Sequence, residues 1–130
     1  MLQIKNIKAE KGTKVKGFIN AYENVGCMYY IPLMIINGSE KGPVLCLTGR
    51  VHGCEYDGIG AVQRIFRETY PKELGGAVMA VSPVDIAAFE KRNRWVNPVD
   101  GKILPSFTPK KEVTATDVRW FTYHQRLSAA

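Results

Sequence analysis

The chain has 130 residues, of which 45% are hydrophobic and 23% charged, which suits one domain over residues 1–130 and excludes two domains of ordinary size. Eighteen Lys and Arg against twelve Asp and Glu give a net charge of +6, which favours anionic partners and says nothing about fold. Five lysines are dispersed singly through the first sixteen residues with strand-like alternation, which is typical of a solvated strand face and not of a nucleic-acid-binding arm.

Three strands are predicted in the first half of the chain. Residues 14–21 alternate imperfectly, and residues 29–36 are rich in aromatic and β-branched side chains. The apolar stretch 27–36 is interrupted by Pro32 and has about half the length of a membrane-spanning helix, so no membrane segment is expected. Residues 44–48 are apolar on both faces, which predicts a strand in the middle of the sheet, covered on each side.

A helix and a further buried strand come next. Apolar residues recur with a 3.6-residue period over 59–70, with Asp57 as the predicted N-cap and Pro71 ending the helix. Residues 77–81 form an apolar strand. A strand, a helix and a strand in this succession predict a βαβ unit with a parallel pair, and therefore the α/β class.

The last forty residues carry fewer regular signals. Between residues 90 and 112 there is turn chemistry without a sustained period, which is typical of a functional loop or of disorder. A terminal helix is predicted over 116–128.

Cysteine usage and the N-terminus bear on the compartment. The three cysteines form no C-x-x-C pair, so neither a disulfide framework nor a Cys-rich zinc site is indicated. The first residues lack the apolar core of a secretory signal, and a cytoplasmic protein is expected.

The chemistry-bearing residues lie between the predicted strand 44–48 and its helix. His52 and Glu55 stand three positions apart on a Gly-containing turn at the carboxyl end of a strand, where open α/β sheets place their ligands. An imidazole and a carboxylate there can both reach one Zn²⁺. The alternative is structural, with Glu55 supporting the first helical turn through the helix dipole and His52 serving as a hydrogen-bonded loop residue.

Several motifs together resemble one known family. They are T-K-V-K-G-F (13–18), I-P-L-M-I-I-N-G (31–38), K-G-P-V-L-C-L-T (41–48), R-V-H-G-C-E-Y-D-G-I (50–59) and A-F-E-K-R-N-R-W-V-N-P-V-D-G-K (88–102). This set is similar to the N-terminal portion of the succinylglutamate desuccinylase/aspartoacylase family of zinc-dependent deacylases. The resemblance implies a mixed central sheet with flanking helices, as in zinc carboxypeptidases, and hydrolysis of the amide bond of a small anionic N-acyl amino acid.

The resemblance also assigns roles to individual residues. It makes His52 and Glu55 the first two zinc ligands, and Arg94 the arginine that holds the substrate's carboxylate, with Arg92 beside it. A guanidinium suits a carboxylate because it can donate two parallel hydrogen bonds. Without the resemblance, both arginines would be interpreted as surface residues.

The sequence also departs from the family's pattern. Pro105 and Ser106 stand where the family has a substrate-contacting Asn and Arg, and Asp85 stands where it has Asn. The family's third zinc ligand and catalytic glutamate fall beyond Ala130, and His124, the second histidine, is interpreted as a surface residue. Catalytic zinc sites ordinarily use three protein ligands, so weak zinc binding is expected.

Those departures leave a second hypothesis open. The chain would then be a non-catalytic domain of the same fold, either a truncated remnant or a small module that binds an anion or a partner. In either case the sheet is expected to expose an edge and an apolar face, which predicts a homo-oligomer.

Overall fold

The structure, a computed structural model, describes residues 1–24, 26–49, 54–94, 96–98 and 101. Six strands, two α-helices and one 3-10 turn lie within this part of the chain. In chain order they are β1 (Leu2–Ile4), β2 (Ile7–Ala9), β3 (Thr13–Asn24), β4 (Cys27–Asn37), β5 (Glu40–Thr48), α1 (Tyr56–Glu68), the 3-10 turn (Pro71–Glu73), β6 (Gly75–Val81) and α2 (Ile86–Glu90).

The main sheet is mixed and has four strands in the order β3-β4-β6-β5. The hairpin β3-β4 is antiparallel, β4 pairs antiparallel with β6, and β5 pairs parallel with β6. The elements β5, α1 and β6 therefore form the βαβ unit that the sequence predicts. The α/β class with a mixed central sheet is confirmed.

Alternation along β4 and β6 builds a core on both faces of this sheet. On one face, Leu33 and Ile35 of β4 pack with Met79 of β6 and with the small hairpin β1-β2. On the other face, Met34 and Ile36 pack with α1. Residues 33–36 of β4 and 77–81 of β6 are continuously apolar because both of their faces are covered there.

Helix α1 differs in detail from its sequence prediction. It begins at Tyr56 with Glu55 at the N-cap, so Asp57 lies in the first turn and the prediction of Asp57 as N-cap is wrong. Val62 and Phe66 are buried against the sheet, whereas Ile65 is 39% exposed. The apolar stripe is therefore narrower than the sequence pattern indicates. Thr69 takes an extended conformation and ends the helix ahead of Pro71.

The prediction of residues 44–48 as the central strand is also wrong. Within the described residues β5 is an edge strand, paired only with β6. Val44 is 48% exposed and Leu45 is 55% exposed. The apolar pattern shows only that both faces of β5 are suited to burial. Within the described residues, β5 has a partner strand along one edge.

Two glycines hold β6 close to neighbouring backbone. A Cβ on Gly76 would collide with the Pro43 carbonyl, and the residue has a φ of +89°, which disfavours any side chain. A Cβ on Gly38 would collide with the Leu74 carbonyl. Both contacts lie near the start of β5, where the glycine- and proline-containing residues 38–43 stand. The described helices include none with the length and apolarity to cross a membrane.

Candidate functional site

The candidate site lies at the carboxyl edge of the parallel pair β5 and β6. Thr48 pairs with Val81 at the ends of the two strands, and the Gly49 N–H donates to the Val81 carbonyl at 2.9 Å. Because the strands are parallel, the segments that follow them leave the sheet side by side. One segment carries His52 and Glu55, and the other leads to Arg92 and Arg94.

Gly49 brings three parts of the chain together at this edge. It is buried, and a Cβ built on it would lie 2.6 Å from the Gly58 carbonyl oxygen and 2.8 Å from the Ser82 Oγ. No side chain fits there without moving the first turns of α1 or the start of the segment after β6. The glycine therefore allows the beginning of α1 to lie directly against the ends of the strands.

Glu55 occupies the junction between this loop and α1. It is exposed, and as the N-cap residue it makes no side-chain hydrogen bond to the first turn of the helix. The loop turns locally just before it, since the Tyr56 N–H donates to the Cys54 carbonyl at 3.0 Å. The carboxylate thus lies at the predicted edge of the sheet and is not used as a capping acceptor.

The donor types at this junction are those that zinc takes in proteins. Glu55 supplies a carboxylate, and His52, which lies outside the described residues, would supply an imidazole. Among the described residues, no three His, Cys, Asp or Glu side chains are grouped so that they could hold a metal ion. The pair fits part of a zinc site by its chemistry, and a third protein ligand is needed for a catalytic one.

The two arginines lie on the segment that follows α2. Both are exposed. Arg92 has a φ of +51°, in the left-handed region, and its N–H donates to the Phe89 carbonyl at 3.1 Å. Arg94 follows two residues later. The segment is reached from the carboxyl end of β6, which is the edge that also leads to Glu55. The neighbouring Trp95, like His124 and the predicted helix 116–128, lies outside the described residues.

The motifs assign no role in the site to two polar residues after β6. The Ser82 Oγ is buried, with no hydrogen-bond partner among the described residues. Asp85 is buried as well and accepts hydrogen bonds from the Ala88 N–H and the Asn97 side chain. An Asp directly before the run Ile86 to Phe89, and three positions before Ala88, is a sequence signal for a helix N-cap. The Asn97 contact carries no such signal.

The comparisons with known proteins give fold neighbours. No protein-family model matches the chain, and no curated protein matches it. Eleven solved chains do match. A succinylglutamate desuccinylase/aspartoacylase from Rhodobacter sphaeroides is 26% identical, with a TM-score of 0.66, over 87% of this chain and 36% of that one.

Two further solved structures extend the comparison. The ectoine utilization protein EutE (DoeB) from Ruegeria pomeroyi, solved with bound product, is 26% identical with a TM-score of 0.71, over 93% of this chain and 38% of that one. An aspartoacylase family protein from Mesorhizobium loti has the same TM-score at 19% identity, over 92% of this chain and 38% of that one, and supports the fold alone. The chain thus spans 36–38% of the length of these three structures. These neighbours confirm the resemblance that the motifs indicate: this chain is similar in fold to the N-terminal portion of solved proteins of the succinylglutamate desuccinylase/aspartoacylase family.

Proposed function

We propose that this chain provides the first two zinc ligands and the substrate-binding arginines of a deacylase that hydrolyses the amide bond of an N-acyl amino acid. The observation that carries the proposal is the shared edge of β5 and β6. From this edge one segment brings Glu55 to the start of α1, and the other leads to Arg92 and Arg94. Metal-ligand chemistry and anion-binding chemistry therefore follow the ends of two adjacent parallel strands.

The roles of the residues follow from their chemistry. His52 and Glu55 would hold the zinc ion, which when bound supplies a Lewis acid that polarises the acyl carbonyl. Arg94 would orient the substrate by donating two parallel hydrogen bonds to its carboxylate. Arg92 would add a second positive charge, and the net charge of +6 would favour the approach of an anion.

Zinc titration by calorimetry on the purified chain tests the metal part of the proposal. With two donors from this segment, we expect a dissociation constant weaker than about 1 μM. His52→Ala or Glu55→Gln should abolish the binding that remains. Glu68→Gln is the matched control, because Glu68 is an exposed carboxylate on the same helix, 2.9 Å from Arg64. Binding that survives both site variants would refute the assignment.

Binding and hydrolysis of N-acetyl-L-aspartate, a small anionic N-acyl amino acid, test the substrate part. We expect Arg94→Ala to weaken binding by about tenfold or more, since it removes a charge-assisted bidentate contact, and to leave zinc affinity unchanged. Zinc-dependent release of acetate would support the deacylase. The alternative, a non-catalytic anion-binding domain, predicts zinc-independent binding of the same compound without hydrolysis. No binding of this compound would count against both of these, and would leave a non-catalytic remnant or a partner-binding domain of the same fold.

A further inference from the structure

One buried oxygen atom joins two parts of the segment that carries the arginines. Asp85 is 6% exposed and is the N-cap residue of α2. Its Oδ1 accepts a hydrogen bond from the Ala88 N–H at 2.9 Å and another from the Asn97 Nδ2 at 3.1 Å. The same carboxylate therefore begins a helix and holds a side chain twelve residues further along the chain.

Further hydrogen bonds order the residues on both sides of Arg94. The Asn93 N–H donates to the Ala88 carbonyl at 2.9 Å, and the Val96 N–H donates to the Asn93 Oδ1 at 3.3 Å. Arg94 thus lies between Asn93, which is tied to α2, and Asn97, which is tied to Asp85. The Asp85–Asn97 contact closes this segment against the polypeptide that leaves β6.

We propose that Asp85 is a positioning residue for Arg94: through Asn97 it holds residues 92–94 and 96–98 in one conformation, and so sets where the Arg94 guanidinium meets an anionic ligand. The ligand half of this inference rests on the proposed function, and the conformational half does not. A buried carboxylate is costly unless donors surround it. The contacts with the Ala88 N–H and the Asn97 side chain help to satisfy Asp85, and they are also the ones that shape the segment.

Limited trypsin digestion of the full chain tests the conformational half without any ligand. Trypsin cleaves after Arg92 and Arg94, and cleavage requires the segment to open. Loss of one hydrogen bond to a buried carboxylate should raise the population of the open form, so we expect Asn97→Ala to speed cleavage after Arg94 about fivefold or more. Cleavage after Arg67, in the last turn of α1, is the internal control and should not change.

The variants at position 85 sharpen the same test. Asp85→Asn keeps a side-chain oxygen that can accept from the Ala88 N–H and from Asn97, and should cleave at close to the wild-type rate. Asp85→Ala removes that acceptor and should cleave at least as fast as Asn97→Ala. Equal rates in the wild type and in Asn97→Ala would overturn the proposal, provided that thermal unfolding shows both proteins folded.

A double-mutant cycle tests the ligand half. N-acetyl-L-aspartate is titrated into the wild type, Asn97→Ala, Arg94→Ala and the double variant. If Asn97 acts through the position of Arg94, Asn97→Ala weakens binding about fivefold in the wild type and has no effect when Arg94 is absent. The same weakening in both backgrounds would overturn the positioning role. A wild type that does not bind the compound would refute the proposed function and the ligand half together, and the cleavage rates would still decide whether Asp85 holds the segment.

Discussion

Lys14 joins strand β3 to the carboxyl end of helix α1, on the face of the sheet that α1 covers. Its Nζ donates to the Phe66 carbonyl at 2.6 Å and to the Arg67 carbonyl at 2.9 Å. These carbonyls lie in the last turn of α1, where no further helical N–H is available to them. The ammonium also lies 5.4 Å from the centroid of the Phe66 ring. We therefore expect Lys14→Met, which keeps the apolar stem of the side chain, to destabilise the protein.

The magnitude follows from these contacts. A hydrogen bond from a charged donor is worth about 1.5–3 kcal/mol, and a cation at a helix carboxyl end about 0.3–1 kcal/mol, with the two terms overlapping here. Half-burial of Lys14 and screening by solvent favour the lower part of that range, so we expect a loss of about 1.5–2 kcal/mol. For a chain of this size that corresponds to a fall in Tm of about 6–8 °C.

Lys16 is the matched control. Its Nζ lies 4.9 Å from the centroid of the same Phe66 ring, but it is exposed and, among the described residues, donates to no helix carbonyl. An exposed cation–π contact is worth about 0.5 kcal/mol, so Lys16→Met should lower Tm by only about 2 °C. Thermal unfolding of both variants by circular dichroism measures the difference. Equal shifts would refute the claim that the helix carbonyls, and not the ring, carry the effect of Lys14.

Three further predictions concern other parts of the fold. Gly60→Ala should raise the free energy of unfolding by about 0.5–1 kcal/mol in urea titrations, because Gly60 lies inside α1 and, among the described residues outside the helix's own backbone, no atom lies within 4 Å of an added Cβ; a loss of stability would contradict the helix there. Iodoacetamide at pH 8 should modify the exposed Cys54 about tenfold or more faster than Cys46, because burial shields the Cys46 thiol and raises its pKa, leaving less thiolate; equal rates by peptide mass spectrometry would count against the placement of β5. Leu45→Lys puts a charge on the exposed edge strand β5 and should reduce self-association, measured by light scattering, without lowering Tm. Ile65→Lys on α1 is the control and should leave self-association unchanged. A wild-type monomer would refute the expected oligomer.

The βαβ unit could be predicted from sequence because its signals are local. Residues 59–70 have a helical period and residues 77–81 are continuously apolar, so the pattern within each segment predicts its secondary structure. The elements that were missed are short. The strands β1 and β2 have three residues each and α2 has five, which is too few for a period to show. Their stability comes from packing on the main sheet, which no local pattern reports.

The error over β5 has a different cause. An apolar run predicts a strand with both faces able to be buried, but it does not specify how many partners the strand has. Val44 and Leu45 are apolar, as is typical of an interior strand, but they are as exposed as residues of an edge strand. Position in a sheet depends on which other strands are present, and that information lies outside the nine residues of β5.

One part of the candidate site could be predicted from the sequence and another part could not. The position of Glu55 could be predicted, since a Gly-containing turn between a buried strand and an amphipathic helix specifies the carboxyl edge of the sheet. The contact between Asp85 and Asn97 could not, because it spans twelve residues through a segment without any period. Polar contacts across irregular loops depend on the paths of both chain segments, and these are known only from the fold.

The close backbone approaches are the positions at which this fold restricts the residue type most strongly. Gly38 and Gly76 hold the chain before β5 and the start of β6 against neighbouring carbonyls, and Gly49 holds the start of α1 against the strand ends. Elsewhere the core needs only apolar side chains of suitable volume, which many sequences supply. The backbone of the fold depends on a small number of positions. The chemistry proposed for its edge would depend on residues such as Glu55, Asp85 and Arg94, which the fold brings there without specifying their types.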